Sequence, residues 1–112
     1  MTNFKFGDVV LVPFPFTNQA GSKKRPAVIV SSTAYNLTRQ DIVLMAITSQ
    51  IRTSFKSDEI EIIEWKKTGL LKPSVIKPVF TTVVKSLIIR QLGSLKDNDI
   101  KNLKQILHTI LG

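Results

Sequence analysis

Ser22-Lys23-Lys24-Arg25-Pro26-Ala27-Val28-Ile29-Val30-Ser31-Ser32 joins a run of three cations to a proline and then to an apolar segment. Pro26 has no backbone N–H and biases Arg25 toward an extended conformation. Arg25 is therefore expected in the last turn of a loop or at the first residue of a strand, its guanidinium projecting from a rigid edge. Ala27 to Val30 is a continuous β-prone apolar run, the kind that lies inside a sheet and holds its ends still. The three cations are mounted on a strand end rather than carried on a tail.

Upstream, Phe6 to Val12 opens with Gly7-Asp8 and runs through Val9-Val10-Leu11-Val12, a strand expected to stop at Pro13 and Pro15. Thr17 to Lys24 is small and polar and reads as the loop between two antiparallel strands. Downstream, Thr33 to Gln40 is a polar connection with room for one helical turn, and Ile42 to Ile47 is the third strand. That strand closes in Thr48-Ser49-Gln50 and gives way to a polar, basic loop from Arg52 to Ser57. Glu59 to Ile63 alternates as a half-exposed strand does. Trp65 to Leu71 is expected to turn and tuck Trp65 or Leu70 under the sheet. Ser74 to Val84 is a long β-prone segment in which Pro78 marks an edge or a bulge. Leu87 to Leu92 reads as a turn followed by a short strand.

From Asp97 the apolar period changes: Ile100, Leu103, Ile106 or Leu107, and Ile110 or Leu111 recur at three and four. This is the one long amphipathic helix, with Ser94 or Asp97 as its N-cap. Five or six short strands and a terminal helix define a mainly β fold, a strongly bent antiparallel sheet or SH3-like small barrel covered by that helix. Residues 1–112 read as a single domain, without repeats, low-complexity segments or a linker.

Sixteen Lys and Arg against eight Asp and Glu give a formal net charge of +8, while 43% of the residues are hydrophobic. A disordered basic tail lacks that apolar content, so the charge belongs to a folded surface. Such a surface suits a polyanion: nucleic acid, an acidic protein or an anionic membrane. A solubility charge with no partner is the competing reading. The chain has no Cys and a single His, His108, far in sequence from every polar strand end. Cysteine nucleophiles and thiolate metal sites are thereby excluded, and a mechanism pairing two histidines is impossible within one chain. Asp58, Glu59, Glu61 and Glu64 read as the outer face of a strand rather than a carboxylate cage, so neither a metal nor a cofactor is expected. No apolar run approaches the roughly 18 residues of a membrane span, and Met1 to Phe6 lacks the apolar core of a signal peptide. A cytoplasmic protein with no membrane partner is the expectation.

What remains is Arg25 at one strand start and Thr48-Ser49-Gln50 at another strand's end. A guanidinium donates two hydrogen bonds to phosphate oxygens and stabilises charge on phosphorus, and hydroxyls orient a sugar hydroxyl or a phosphate oxygen. RNA carries its own nucleophile in the 2′-OH, so a protein that positions that group and stabilises the transition state needs no nucleophile of its own. On chemistry alone two uses of Arg25 and Thr48 stay open, as phosphate anchors or strand-end caps on one side and as catalysts on the other. Phe16 and Phe55, in expected loops, suit base stacking or packing at a subunit interface.

Gly7-Asp8-Val9-Val10, Lys24-Arg25-Pro26-Ala27-Val28-Ile29-Val30 and Ala46-Ile47-Thr48-Ser49-Gln50 resemble successive signature blocks of the MazF/PemK toxin family. Trp65-Lys66-Lys67-Thr68-Gly69-Leu70, Lys72-Pro73-Ser74-Val75-Ile76, Lys85-Ser86-Leu87-Ile88-Ile89 and Leu92-Gly93-Ser94-Leu95 extend the likeness, in order, over nearly the whole chain. The resemblance implies a sequence-selective, metal-independent endoribonuclease toxin of a type II toxin–antitoxin pair, working as a homodimer on single-stranded RNA and restrained by a cognate acidic antitoxin. It implies that Arg25 acts as general acid and phosphate stabiliser and that Thr48 positions the attacking 2′-OH, leaving a 2′,3′-cyclic phosphate and a 5′-OH. It further implies that Ser49 and Gln50 line the RNA groove, with Ser22, Lys23 and Lys24 in a gating loop above it.

One stretch departs from the family pattern. Where some members carry an acidic residue or an Arg-Thr pair after the Ser-Val-Ile block, this chain reads Lys77-Pro78-Val79-Phe80-Thr81-Thr82. A second general base is therefore not expected from that strand, and Lys77 is expected to add a phosphate contact instead. The related CcdB branch keeps the fold but poisons gyrase without cutting RNA, so a non-catalytic toxin or nucleic-acid-binding barrel is the alternative.

Overall fold

Six strands form one antiparallel sheet in the computed structural model, which describes residues 3–14, 23–49 and 59–112. Pro15, Phe16, Ser22, Gln50, Phe55, Asp58, residues 17–22 of the expected loop from Thr17 to Lys24, and the expected loop 52–57 lie outside the described residues. In chain order the elements are β1 (Asp8–Phe14), β2 (Lys23–Ile29), α1 (Thr33–Thr38), β3 (Asp41–Thr48), β4 (Ile60–Glu61), β5 (Val75–Val84), a 3₁₀ turn (Lys85–Leu87), β6 (Arg90–Ser94) and α2 (Asp97–Leu111). Their order across the sheet is β4-β5-β3-β2-β1-β6. The mainly β architecture with a terminal helix is the one expected from the sequence. Among the described residues no helix is long and apolar enough to cross a membrane.

The strands read as unbroken apolar runs because both faces of the sheet are buried. Val9, Val28, Met45, Ile47 and Ile76 pack with Leu103 of α2 in one core, which Ile100, Ile106 and Leu107 extend. Val10, Val12, Ala27, Ile29, Ile42, Leu44 and Val83 form a second core with Phe4, flanked by Leu87 and Ile88. Alternate residues of one strand thus serve different cores.

Lys23 and Lys24, expected in the loop from Thr17, open β2 instead, paired with Phe14 and Pro13, and three further details differ from expectation. Pro13 does not stop β1, which continues opposite Lys23 and Lys24 of β2. The Leu11 carbonyl accepts from the Ile89 N–H on the β6 side, so by the two-residue period Pro13 turns its missing donor the same way. β6 pairs no further than Leu11, and no ladder bond is lost there. β4 is two residues rather than five, because the N–H groups of Ile63 and Glu64 donate to the Asp99 carboxylate at 2.9 Å each and leave the sheet. Finally, the N-cap of α2 is Lys96, without a side-chain cap bond, while the Ser94 hydroxyl donates to Asp8 instead. Pro78 sits where β5 slips register against β3, between the pairs Met45↔Phe80 and Ile47↔Ile76, as a strand proline at a bulge does.

The turn between β4 and β5, at one edge of the sheet, meets β6 at the other edge. Gly69 adopts φ +90°, and a Cβ there would lie 2.2 Å from the Leu92 carbonyl oxygen; a Cβ on Gly93 would lie 2.2 Å from that of Thr68. Two backbones touch with no room for a methyl between them, and the sheet curls closed. Leu70 is buried by this turn, with Trp65 packed partly against the same core. Gly93→Ala should destabilise the fold by about 3 kcal/mol, since the clashing atom is backbone. An unchanged urea midpoint would show that the two edges do not depend on this contact.

Candidate functional site

Pro26 lies opposite Leu11 in the β1–β2 ladder, and Arg25 opposite Val12. The β2–β3 ladder pairs Ala27, Val28 and Ile29 with Ala46, Met45 and Leu44. Continued toward the start of β2, the same register sets Arg25 across from Thr48. Two residues 23 apart in sequence are neighbours because one strand begins where the next one ends. Arg25 is half-buried, its Nε shut off from solvent, while Lys23, Lys24 and Ser49 are exposed around it.

These five residues line one cleft of about 500 Å³. Leu11, Pro26 and Ile47 add apolar lining, together with Leu70, Leu71 and Lys72 of the closing turn and Arg90 and Leu92 of β6. Five cations therefore face one concavity, and no Asp or Glu is among the described residues lining it. Like charges converging on low-dielectric walls focus a positive potential there, which draws an anion in and holds it better than a flat surface does. The ion pairs Arg39–Asp41 at 3.4 Å, Lys67–Glu64 at 3.2 Å and Lys77–Glu59 at 3.8 Å lie elsewhere.

Of the expected site residues, the fold brings together Lys23, Lys24, Arg25, Thr48 and Ser49. Lys77 stands apart on β5, outside the cleft lining, with its ammonium toward Glu59. Phe16, Ser22 and Gln50 lie outside the described residues. His108 is exposed in the last turn of α2. Among the described residues, no group of three or more His, Cys, Asp or Glu side chains is arranged to hold a metal ion. Reading the sequence missed Lys72 and Arg90, whose place in the cleft follows from closure of the sheet, a contact between segments with no local signature.

Asp99 fixes the closing turn from behind. Its side chain is fully buried at the start of α2 and accepts from both Ile63 and Glu64, and the Glu64 carbonyl in turn accepts from the Thr68 hydroxyl at 2.7 Å. The helix thereby sets the position of residues 63–69 and of the cleft lining that follows them.

A family model described as PemK-like, MazF-like toxin of type II toxin–antitoxin system matches residues 5–111. No curated protein matches the chain in sequence. Among solved structures, an endoribonuclease from a mycobacterial species superposes with a TM-score of 0.77 at 21% identity, over 100% of this chain and 94% of that one. An endoribonuclease in complex with its cognate antitoxin, also mycobacterial, gives 0.75 at 20% identity over 100% and 96%. A MazE–MazF structure from Deinococcus radiodurans gives 0.75 at 21% identity over 99% and 98%.

Asp99→Asn replaces one of the two acceptor oxygens with a donor and should cost about 2 kcal/mol. In native-state hydrogen exchange the amides of Ile63 and Glu64 should then open about thirtyfold more readily, the equivalent of that free energy. Exchange at wild-type rates would show that the carboxylate does not hold the turn.

Proposed function

Because the chain belongs to the PemK-like, MazF-like toxins of type II toxin–antitoxin systems, we propose that it is a sequence-selective endoribonuclease acting on single-stranded RNA. The observation that carries this reading is that Arg25 and Thr48, on adjacent strands, line one cleft with four further cations and no described acid. The similar solved structures that are endoribonucleases support it.

In the proposed reaction the scissile phosphate sits at Arg25, and Thr48 holds the adjacent 2′-OH in line with the leaving 5′ oxygen. The 2′ oxygen bonds to phosphorus and its proton passes to solvent; the bond from phosphorus to the 5′ oxygen breaks, and that oxygen takes a proton from Arg25, which solvent restores. The products are a 2′,3′-cyclic phosphate and a 5′-OH. Arg25 also stabilises the charge that builds on the phosphoryl oxygens. Lys23, Lys24 and Ser49 accompany the strand at its entry. A homodimer and an acidic antitoxin complete the proposal, the antitoxin competing for the same positive cleft.

Purified protein incubated with a long single-stranded RNA in EDTA should cut at discrete positions and leave those termini. Arg25→Ala should lower the rate by about two to three orders of magnitude, and Thr48→Ala by about a hundredfold, each with an unchanged circular dichroism spectrum. A 2′-deoxy substitution at the cut nucleotide should abolish cleavage there. Cutting by Arg25→Ala at the wild-type rate would overturn the assignment; binding without cutting by the wild type would favour a non-catalytic toxin.

A further inference from the structure

We propose that Arg90 of β6 and Lys72 of the closing turn hold a second backbone phosphate of the bound RNA, so that the strand crosses the sheet from β3 toward β6. The inference rests on the RNA reading above and specifies the path of the substrate.

Leu11 is the partner of both Arg90 and Pro26, so Arg90, Leu11 and Pro26 lie in one row across β6, β1 and β2. Arg90 is thereby two strand spacings, about 10 Å, from Pro26, the neighbour of Arg25 in β2, and Arg25 and Arg90 line the same cleft; one or two nucleotides of extended backbone cover that span. Lys72 reaches the same end of the cleft from the turn that packs on Leu92 and Gly93. Arg90 and Lys72 are exposed, and neither forms an ion pair among the described residues. Both keep their donors for a ligand. Leu71, 94% exposed beside Lys72, and Leu92 offer the apolar surface that a ribose or a base face covers.

The separation favours RNA over an acidic peptide. Cations spaced along a groove match a backbone that carries one charge per nucleotide, and an arginine fork binds two oxygens of one phosphate. Residues at this end meet a phosphate that does not react. They add binding and fix the register of the strand, while Arg25 and Thr48 act on the bond that breaks.

The probe is a pool of random-sequence single-stranded RNA made wholly with 2′-O-methyl riboses, which the proposed reaction does not cleave. Its binding is followed by fluorescence anisotropy over a range of salt concentrations. Arg90→Ala and Lys72→Ala should each weaken binding about five- to tenfold at low salt and reduce the slope of log K against log salt by about 0.7. Lys101→Ala, an exposed cation of α2 away from the cleft, should change neither. On a cleavable RNA the two cleft variants should raise KM with kcat within twofold of the wild type.

Wild-type affinity and slope in both cleft variants, or the same loss in Lys101→Ala, would overturn the second phosphate site. So would a loss of affinity for poly-glutamate without a loss for RNA. Failure of the nuclease reading is a separate result: a wild type that binds the pool but cuts no RNA retires the reaction, while the salt series still decides whether Arg90 and Lys72 contact phosphate.

Discussion

The approach of the Gly69 and Gly93 backbones is the constraint on which the rest depends. A six-stranded antiparallel sheet has two edges, and here β4, a strand of two residues, leads into a turn that meets β6 from the opposite side. Neither position has room for a Cβ, so the closure is backbone on backbone rather than side chains reaching across a gap. Its product is a concavity. Without it the strand ends bearing Arg25 and Thr48 would face open solvent, and Lys72, Leu71 and Arg90 would belong to separate surfaces. Closure also removes an exposed edge that another chain would otherwise pair with.

Buried polar groups hold that shape where apolar packing leaves it free to slide. Asp8 accepts from the Lys5 N–H at 2.9 Å and from the Ser94 hydroxyl at 2.8 Å, which ties β1 to β6 where Asp8 and Ser94 are paired. Asp99 ties α2 to the closing turn. Asn36 donates to the Phe4 and Ser31 carbonyls, anchors α1, and accepts through its own carbonyl from Lys85. Each carboxylate is matched by donors, which is what makes its burial tolerable. Two of the eight acids, Asp8 and Asp99, therefore turn inward, and the solvent-facing surface is more one-sidedly basic than a formal charge of +8 conveys.

The strands and the long helix were legible because they rest on local chemistry: β-prone apolar runs, and a period of three and four from Asp97 onward. The pairing of Arg25 with Thr48 was legible only as two strand ends carrying phosphate chemistry; the β2–β3 register supplied their proximity. Pro13 misled because a proline ends a strand only when its missing N–H faces a partner, and whether a partner stands on that side is settled by where β6 stops. Asp99 stands in the first turn of α2, where any acid suits the helix dipole, yet its partners are 35 and 36 residues away. Lys72 and Arg90 look in sequence like any exposed cations. Their meaning comes from a contact between two glycines that no local pattern announces.

The composition of the cleft bears on the chemistry it can perform. For the proposed reaction, a carboxylate base beside Arg25 would help remove the 2′ proton, but it would also repel the incoming phosphate and neutralise part of the field that attracts it. A cleft lined by cations, with no described acid, favours the other balance: strong recruitment, a held geometry and charge stabilisation, with water accepting the proton. In the proposed reaction Arg25 releases its proton only to the leaving 5′ oxygen, and until then its guanidinium presents the same donors to the ground state and to the developing transition state. The stabilisation proposed for it then depends on where those donors point as charge builds on the phosphoryl oxygens. That places the burden on rigidity, and rigidity here is supplied from below by Ala27, Val28 and Ile29, all buried in the sheet immediately after Pro26.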